Sequence, residues 1–71
     1  MAINTERLYE NAKEALRLAC ISVHDGDIEN GEGLYKMMLK DPELYLRASD
    51  RYAWNNALPA LEIFAMAKDA L

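Results

Sequence analysis

The chain has little of what stabilises small extracellular domains or builds β-sheets. Its 71 residues include one cysteine, three glycines and two prolines. A single Cys20 excludes an internal disulfide bond, so we expect an intracellular protein of the cytoplasm. The scarcity of glycine, proline and β-branched residues argues against disorder and against a β-sandwich. The composition therefore predicts an ordered helical chain.

Long apolar runs are missing as well. The first fourteen residues lack the apolar segment of a secretory signal. No uninterrupted apolar run approaches the ~20 residues that a membrane-spanning helix needs. We expect neither a signal peptide nor a membrane segment.

Positive charge is scarce and scattered. Residues 1–33 hold seven acids and three bases, which accounts for the whole net charge of −4, whereas residues 34–71 hold five of each. A protein that binds a nucleic-acid backbone directly needs clustered positive charge, and no such cluster is visible. We therefore expect no direct binding to nucleic acid.

Residue types that carry catalysis or bind metals are few. Cys20 and His24 lie one helical turn apart, but two ligands do not make a zinc site. The acidic segment that starts at Asp25 fails the EF-hand pattern. Its sixth position is Asn30 instead of glycine, and its twelfth is Lys36 instead of glutamate. We expect no enzyme activity, no catalytic residues, no metal site and no cofactor.

Apolar residues recur at helical spacing along most of the chain. Asp41-Pro42-Glu43 is the clearest helix start, because Asp41 is a favourable N-cap and Pro42 suits the first helical position. Pro59 is expected to break the chain and open the last helix. The sequence predicts a single all-α domain, residues 1–71, folded as a compact bundle of about four short helices. Their expected bounds are residues 5–24, 32–40, 42–57 and 59–70.

The last predicted helix is apolar on almost every side. Three short neighbours cannot easily cover such a helix, and a chain of this length buries only a modest core. We expect the bundle to be completed by homodimerisation, most simply as a two-fold dimer. The alternative is that a foreign partner covers this helix. The residues predicted at the oligomer interface are Leu61, Ile63, Phe64, Met66 and Leu71.

Trp54, the only tryptophan, falls on a polar strip of the third predicted helix. That helix has two apolar stripes, which is typical of a helix shared between a core and an interface. A tryptophan beside arginine has the composition of an interface hot spot. Alternatively, Trp54 folds over the end of the core with Arg51 across its ring. Leu18 and Ile21 lie outside the main apolar stripe of the first helix. The predicted partner-binding residues are Trp54, Arg47, Arg51, Asp50, Leu18 and Ile21.

Three functions stay open at this point. The first is a small acidic protein-binding module, a regulator or inhibitor of the kind that phages encode, which acts by direct binding to a partner protein. The second is a helical oligomer that binds or sequesters a small anionic ligand such as a nucleotide, because arginine and tyrosine suit such a ligand. The residues for this second function are Arg47, Arg51, Tyr45 and Tyr52.

The third function is acidic mimicry of a nucleic acid. An acidic loop with no Lys or Arg could enter the nucleic-acid-binding groove of a target protein. The plain alternative is a solvated loop that serves solubility, since a net charge of −4 is ordinary for a small domain. The residues of this predicted acidic loop are Asp25, Asp27, Glu29 and Glu32.

Overall fold

A computed structural model describes residues 4–48 and 54–71 of the chain. In these residues the chain forms four α-helices and no strand. The helices are α1 (Thr5–Val23), α2 (Ile28–Lys40), α3 (Pro42–Leu46) and α4 (Leu58–Asp69). The prediction of an all-helical chain with four helices is confirmed. None of the helices in this part of the chain is long and apolar enough to cross a lipid bilayer.

Side-chain caps fix the starts of the first three helices. The side chains of Asn4, Asp27 and Asp41 each accept a hydrogen bond from the backbone N–H three residues further on, at 3.1–3.2 Å. Such a cap typically stabilises a helix by about 1 kcal/mol. The predicted helix start at Asp41-Pro42 is therefore confirmed.

The predicted start of the second helix was wrong. The prediction began it at residue 32, but α2 begins at Ile28, because Asp27 caps it. Glycine is a poor helix former, yet Gly31 and Gly33 both lie inside α2. Glycine lowers helix stability by only about 1 kcal/mol, which a cap and tertiary packing can offset.

The third helix is much shorter than predicted, because it ends at Leu46 instead of residue 57. Arg47 forms the C-cap of α3, and Ala48 is no longer helical. The rings of Tyr45 and Trp54 lie in contact, with centroids 5.3 Å apart. Trp54 begins the turn that leads into α4.

The helix α2 crosses α1 at Gly31, which is buried. A Cβ atom added to Gly31 would lie 2.5 Å from the Cα atom of Ile21 and 2.8 Å from its backbone nitrogen. Only glycine fits this crossing. Ile21 was predicted to lie in a partner-binding patch, but it is half-buried in this contact between helices. Arg17 adds a salt bridge across the same pair of helices, 3.4 Å from Glu32.

The core lies where α1 packs against α2 and α4. The Tyr9 ring of α1 stacks on Phe64 of α4, with centroids 5.4 Å apart. The largest fully buried side chains are Phe64, Leu16, Met38, Leu61 and Cys20. Leu61 and Phe64 were predicted at an oligomer interface, but this chain covers both by itself. Of that predicted set, Ile63, Met66 and Leu71 are exposed.

Candidate functional site

An open groove lies on the side of α2 that faces α3 and the turn at Trp54. We call it the α2–α3 groove. Its volume is about 420 Å³. A second depression of about 430 Å³ adjoins it around α3 and shares Met37 and Tyr45 with it. The residues that line the α2–α3 groove are His24, Glu29, Asn30, Gly33, Leu34, Met37, Tyr45 and Trp54.

Helical spacing explains the wall that α2 contributes. Asn30, Gly33 and Met37 are separated by three and four residues, so they share one face of the helix. Gly31 and Met38 lie on another face and are buried in the bundle. One helix thus presents one side to the core and another side to the groove.

The opposite wall is aromatic. The rings of Tyr45 and Trp54 meet edge to face, with an interplanar angle of 82°. Such a pair contributes about 0.5–1.5 kcal/mol beyond the burial of its surface. Tyr45 is buried, whereas Trp54 is half-buried at the edge of the groove. Trp54 therefore packs partly against the core and also exposes part of its ring to the groove.

Large apolar side chains stand exposed beside this wall. Met37 is 57% exposed and Leu44, in the adjoining depression, is 60% exposed. Single exposed apolar residues are common on protein surfaces, but apolar residues that adjoin an aromatic pair form a patch. The unbranched thioether of Met37 also adapts to differently shaped partners.

The groove has an acidic end. Glu29 lines it in the first turn of α2, and Asp25 and Asp27 lie in the turn before this helix. Within the described residues, 4–48 and 54–71, none of the salt bridges involves these three carboxylates. Those salt bridges are Lys13–Glu10, Arg17–Glu14, Arg17–Glu32 and Arg47–Glu43. At the other end of α2, Lys40 and Asp41 line the adjoining depression together.

The structure separates the residues that were predicted to bind a partner. Trp54 lines the groove, but Arg47 lies 3.1 Å from Glu43 and is not among the lining residues. Leu18 is 55% exposed on α1. The positions predicted to accompany Trp54, Asp50 and Arg51, lie outside the described residues, as does Tyr52.

The predicted acidic loop is only partly a loop. Asp25 and Asp27 precede α2, whereas Glu29 and Glu32 lie within it. Asp27 accepts hydrogen bonds from the backbone and side-chain nitrogens of Asn30, and Glu32 pairs with Arg17. Helix capping and helix packing therefore account for two of the four carboxylates.

Sequence reasoning did not select Gly33, Met37 or Leu44 as site residues. Met37 and Met38 are adjacent methionines that the sequence alone does not tell apart, but Met38 is fully buried and Met37 is exposed. Leu44 lies on α3, which is much shorter than the predicted helix.

No group of three His, Cys, Asp or Glu side chains is placed to hold a metal ion in the part of the chain that the structure describes. Comparisons of the chain with protein-family models, curated proteins and solved structures found no match.

Cys20 is the one thiol, and it is fully buried with its sulfur 3.7 Å from that of Met38. Burial raises the pKa of this thiol from 9.0 to about 11. Between these values the unfolded thiol ionises while the folded thiol stays protonated, so the free energy of unfolding decreases as the pH rises from about 9 to about 11.

We expect this loss to reach about 1 kcal/mol at pH 10. Urea denaturation at pH 7.5 and pH 10 measures it. Tyr35 also has a pKa raised by burial, so Cys20→Ala is the control that isolates the thiol. If the variant loses as much stability as the parent between the two pH values, the assignment to Cys20 is wrong.

Proposed function

We propose that the chain is a small helical protein-binding module, which acts as a regulator or inhibitor by docking a partner protein in the α2–α3 groove. The observation that carries this proposal is the patch of Met37 and Leu44 beside the Tyr45–Trp54 pair. Aromatic residues and methionine are enriched where protein interfaces are fully buried. A tryptophan in a partly covered pocket is also the commonest kind of hot-spot residue.

The size of the groove favours a transient complex over a permanent one. The helix α2 has 13 residues, so it is about 20 Å long. An interface confined to one such helix and its neighbours falls at the small end of specific interfaces, below about 1,200 Å². Signalling and regulatory contacts often have this size, which agrees with a regulator better than with an obligate subunit.

The two other functions have less support from the geometry. A nucleotide-like ligand would need Arg47 beside Tyr45, but Arg47 is engaged with Glu43 and Tyr45 is buried. Nucleic-acid mimicry would need an array of free carboxylates, and Glu32 already pairs with Arg17. Neither function uses the exposed apolar patch.

Self-association through the outer face of α4 is the second part of this proposal. Pro59, Ile63, Met66 and Ala70 are exposed and separated by four, three and four residues, so they form one stripe along the helix. Ile63 is 54% and Met66 is 72% exposed. A stripe on 12 residues is only about 18 Å long, so we expect a weak dimer. The stripe and the groove use different elements, so both can be occupied together.

A photocrosslinking amino acid at position 37 tests the docking proposal. Leu8 is the control, since it is also an exposed apolar residue, 43% exposed against 57% for Met37, and it lies on α1 outside the groove. In cells that produce the protein naturally, we expect one defined crosslinked product from position 37 and none from position 8. Trp54→Ala in the same chain should weaken partner binding about 30-fold, the loss typical of a hot spot.

Two results would contradict the proposal. One is the same set of products from positions 37 and 8. The other is the absence of any product from position 37. Circular dichroism of each variant shows that the fold is retained, and Leu44→Ala provides a milder change in the same patch if Trp54→Ala unfolds.

A further inference from the structure

Gly33 is an unexplained glycine in the middle of α2. A Cβ atom added there would have no atom within 4 Å, so no neighbouring residue requires glycine at this position. Its backbone is helical and its φ is not positive. A glycine in mid-helix lowers the folding equilibrium about two- to fivefold relative to alanine. The fold bears this cost without a packing benefit, and the missing side chain leaves a notch in the groove wall.

Gly31 shows what a glycine on this same helix does. It lets α1 approach until a Cβ atom would overlap the backbone of Ile21. Two residues further on, Gly33 points about 200° away around the helix axis, into the groove. The helix α2 therefore has a glycine on each of two sides. On the Gly31 side, α1 of the same chain fills the space that a side chain would take. Asn30 and Met37 flank the second side at the spacing of a helix–helix seam.

The groove is acidic at one end only, so its two ends differ in charge. Glu29 lines one end of the groove, and Asp25 and Asp27 lie in the adjacent turn. None of the salt bridges within residues 4–48 and 54–71 neutralises these carboxylates, although Asp27 also caps α2 by accepting hydrogen bonds from Asn30. A partner with a basic side chain at this end would gain a favourable interaction and faster association.

Resting on the proposed function, we infer that the occupant of the α2–α3 groove is an α-helix of the partner protein. It packs its backbone closely against Gly33, covers Met37 and Trp54 with its apolar face, and places Lys or Arg beside Glu29. An extended segment would not need the notch at Gly33. An acidic segment would be repelled at the Glu29 end.

Selection from a displayed library of random 16-residue peptides tests this inference without knowledge of the natural partner. We expect the enriched peptides to carry apolar residues at positions i, i+3 or i+4, and i+7, with Lys or Arg near one end. Trp54 fluorescence gives the affinity of each synthesised peptide. Gly33→Leu should reduce affinity at least tenfold, and Glu29→Gln about three- to tenfold at low salt.

Gly33→Ala separates binding from folding. The added methyl group has open space around it, so the melting temperature should rise by roughly 2–6 °C, while peptide affinity falls because the notch is filled. A variant that is more stable but binds less well has lost a binding contact and not its fold. Leu8→Ala, at an exposed position of α1 outside the groove, should leave the affinity unchanged.

The outcomes distinguish the inference from the proposed function. Peptides that bind the groove but have no helical spacing, carry no basic residue or tolerate Gly33→Leu overturn the inference and leave groove binding intact. If no peptide is enriched, or if binding is insensitive to both Met37→Ala and Gly33→Leu, both the inference and the proposed function are overturned.

Discussion

Gly31→Ala is expected to lower the free energy of unfolding by about 2–3 kcal/mol, the cost typical of overpacking. The new methyl group would lie 2.5 Å from the Cα atom of Ile21, which is backbone and cannot rotate away. The two helices must separate or tilt, and the contacts around Leu16 and Met38 loosen with them. For a chain of this length the melting temperature should fall by roughly 10–20 °C.

Gly33→Ala is the matched control for this prediction. It makes the same chemical change in the same helix two residues further on, but with no atom within 4 Å of the added Cβ. Helix propensity alone should then raise the free energy of unfolding by about 0.5–1 kcal/mol. Urea and thermal denaturation followed by circular dichroism measure both variants. Equal effects of the two substitutions would refute the close crossing of α1 and α2.

Phe64→Ala is expected to remove about 3–5 kcal/mol of stability, as is typical when a fully buried aromatic side chain is truncated. The Phe64 ring is fully buried and stacks on Tyr9. The whole domain should have only about 4–10 kcal/mol of stability at this length, so the loss is a large fraction of the total and the melting temperature should fall by roughly 12–40 °C. Calorimetry or urea denaturation at low temperature measures the free energy of unfolding of the variant.

The neighbouring position supplies the control. Ile63 is 54% exposed, and Ile63→Ala should change the free energy of unfolding by less than about 1 kcal/mol. Its effect should appear instead in sedimentation velocity, as weaker self-association at high protein concentration. If Ile63→Ala leaves the association state unchanged, α4 does not form the proposed dimer face. If Phe64→Ala is as stable as the parent, α4 does not pack on α1 as described.

Those two positions also show what periodicity can and cannot predict. The pattern of α4 correctly indicated a helix that is apolar on most sides, but it did not show which side its own chain would cover. Leu61 and Phe64 were assigned to an interface with a second copy, although both are fully buried within the single chain and Phe64 stacks on Tyr9 of α1. Burial depends on how far neighbouring helices reach, and spacing along one helix carries no information about this.

Helix existence was predictable, whereas two of the helix bounds were not. The cap at Asp41 with Pro42 gave a clear local signal, and α3 begins there. No local signal in the sequence marks the end of α3 at Leu46. The start of α2 was missed because Asp27 was not recognised as its N-cap. A cap and a glycine in mid-helix change helix stability by similar amounts, each about 1 kcal/mol, so a capped α2 can contain Gly31 and Gly33.

Among the residues that line the groove, Trp54, Glu29 and Tyr45 were singled out from the sequence, each for a different function, whereas Gly33 and Met37 were not. Tryptophan is a natural candidate because it is enriched at interface hot spots. By contrast, the functional interest of Gly33 arises only when the space around it is known to be empty. Gly31 and Gly33 are the same residue type in the same helix, and only the position of α1 distinguishes their roles.

The groove and the core differ in how far apart along the chain their parts lie. Every residue that lines the groove falls between His24 and Trp54, whereas the stacked pair in the core joins Tyr9 to Phe64. Short loops cost less entropy to close than long ones. Local opening of α3 and the Trp54 turn therefore does not require α1 and α4 to part, and amide hydrogens there should exchange through small fluctuations. We therefore expect the proposed binding surface to rearrange around a partner while the rest of the bundle stays closed.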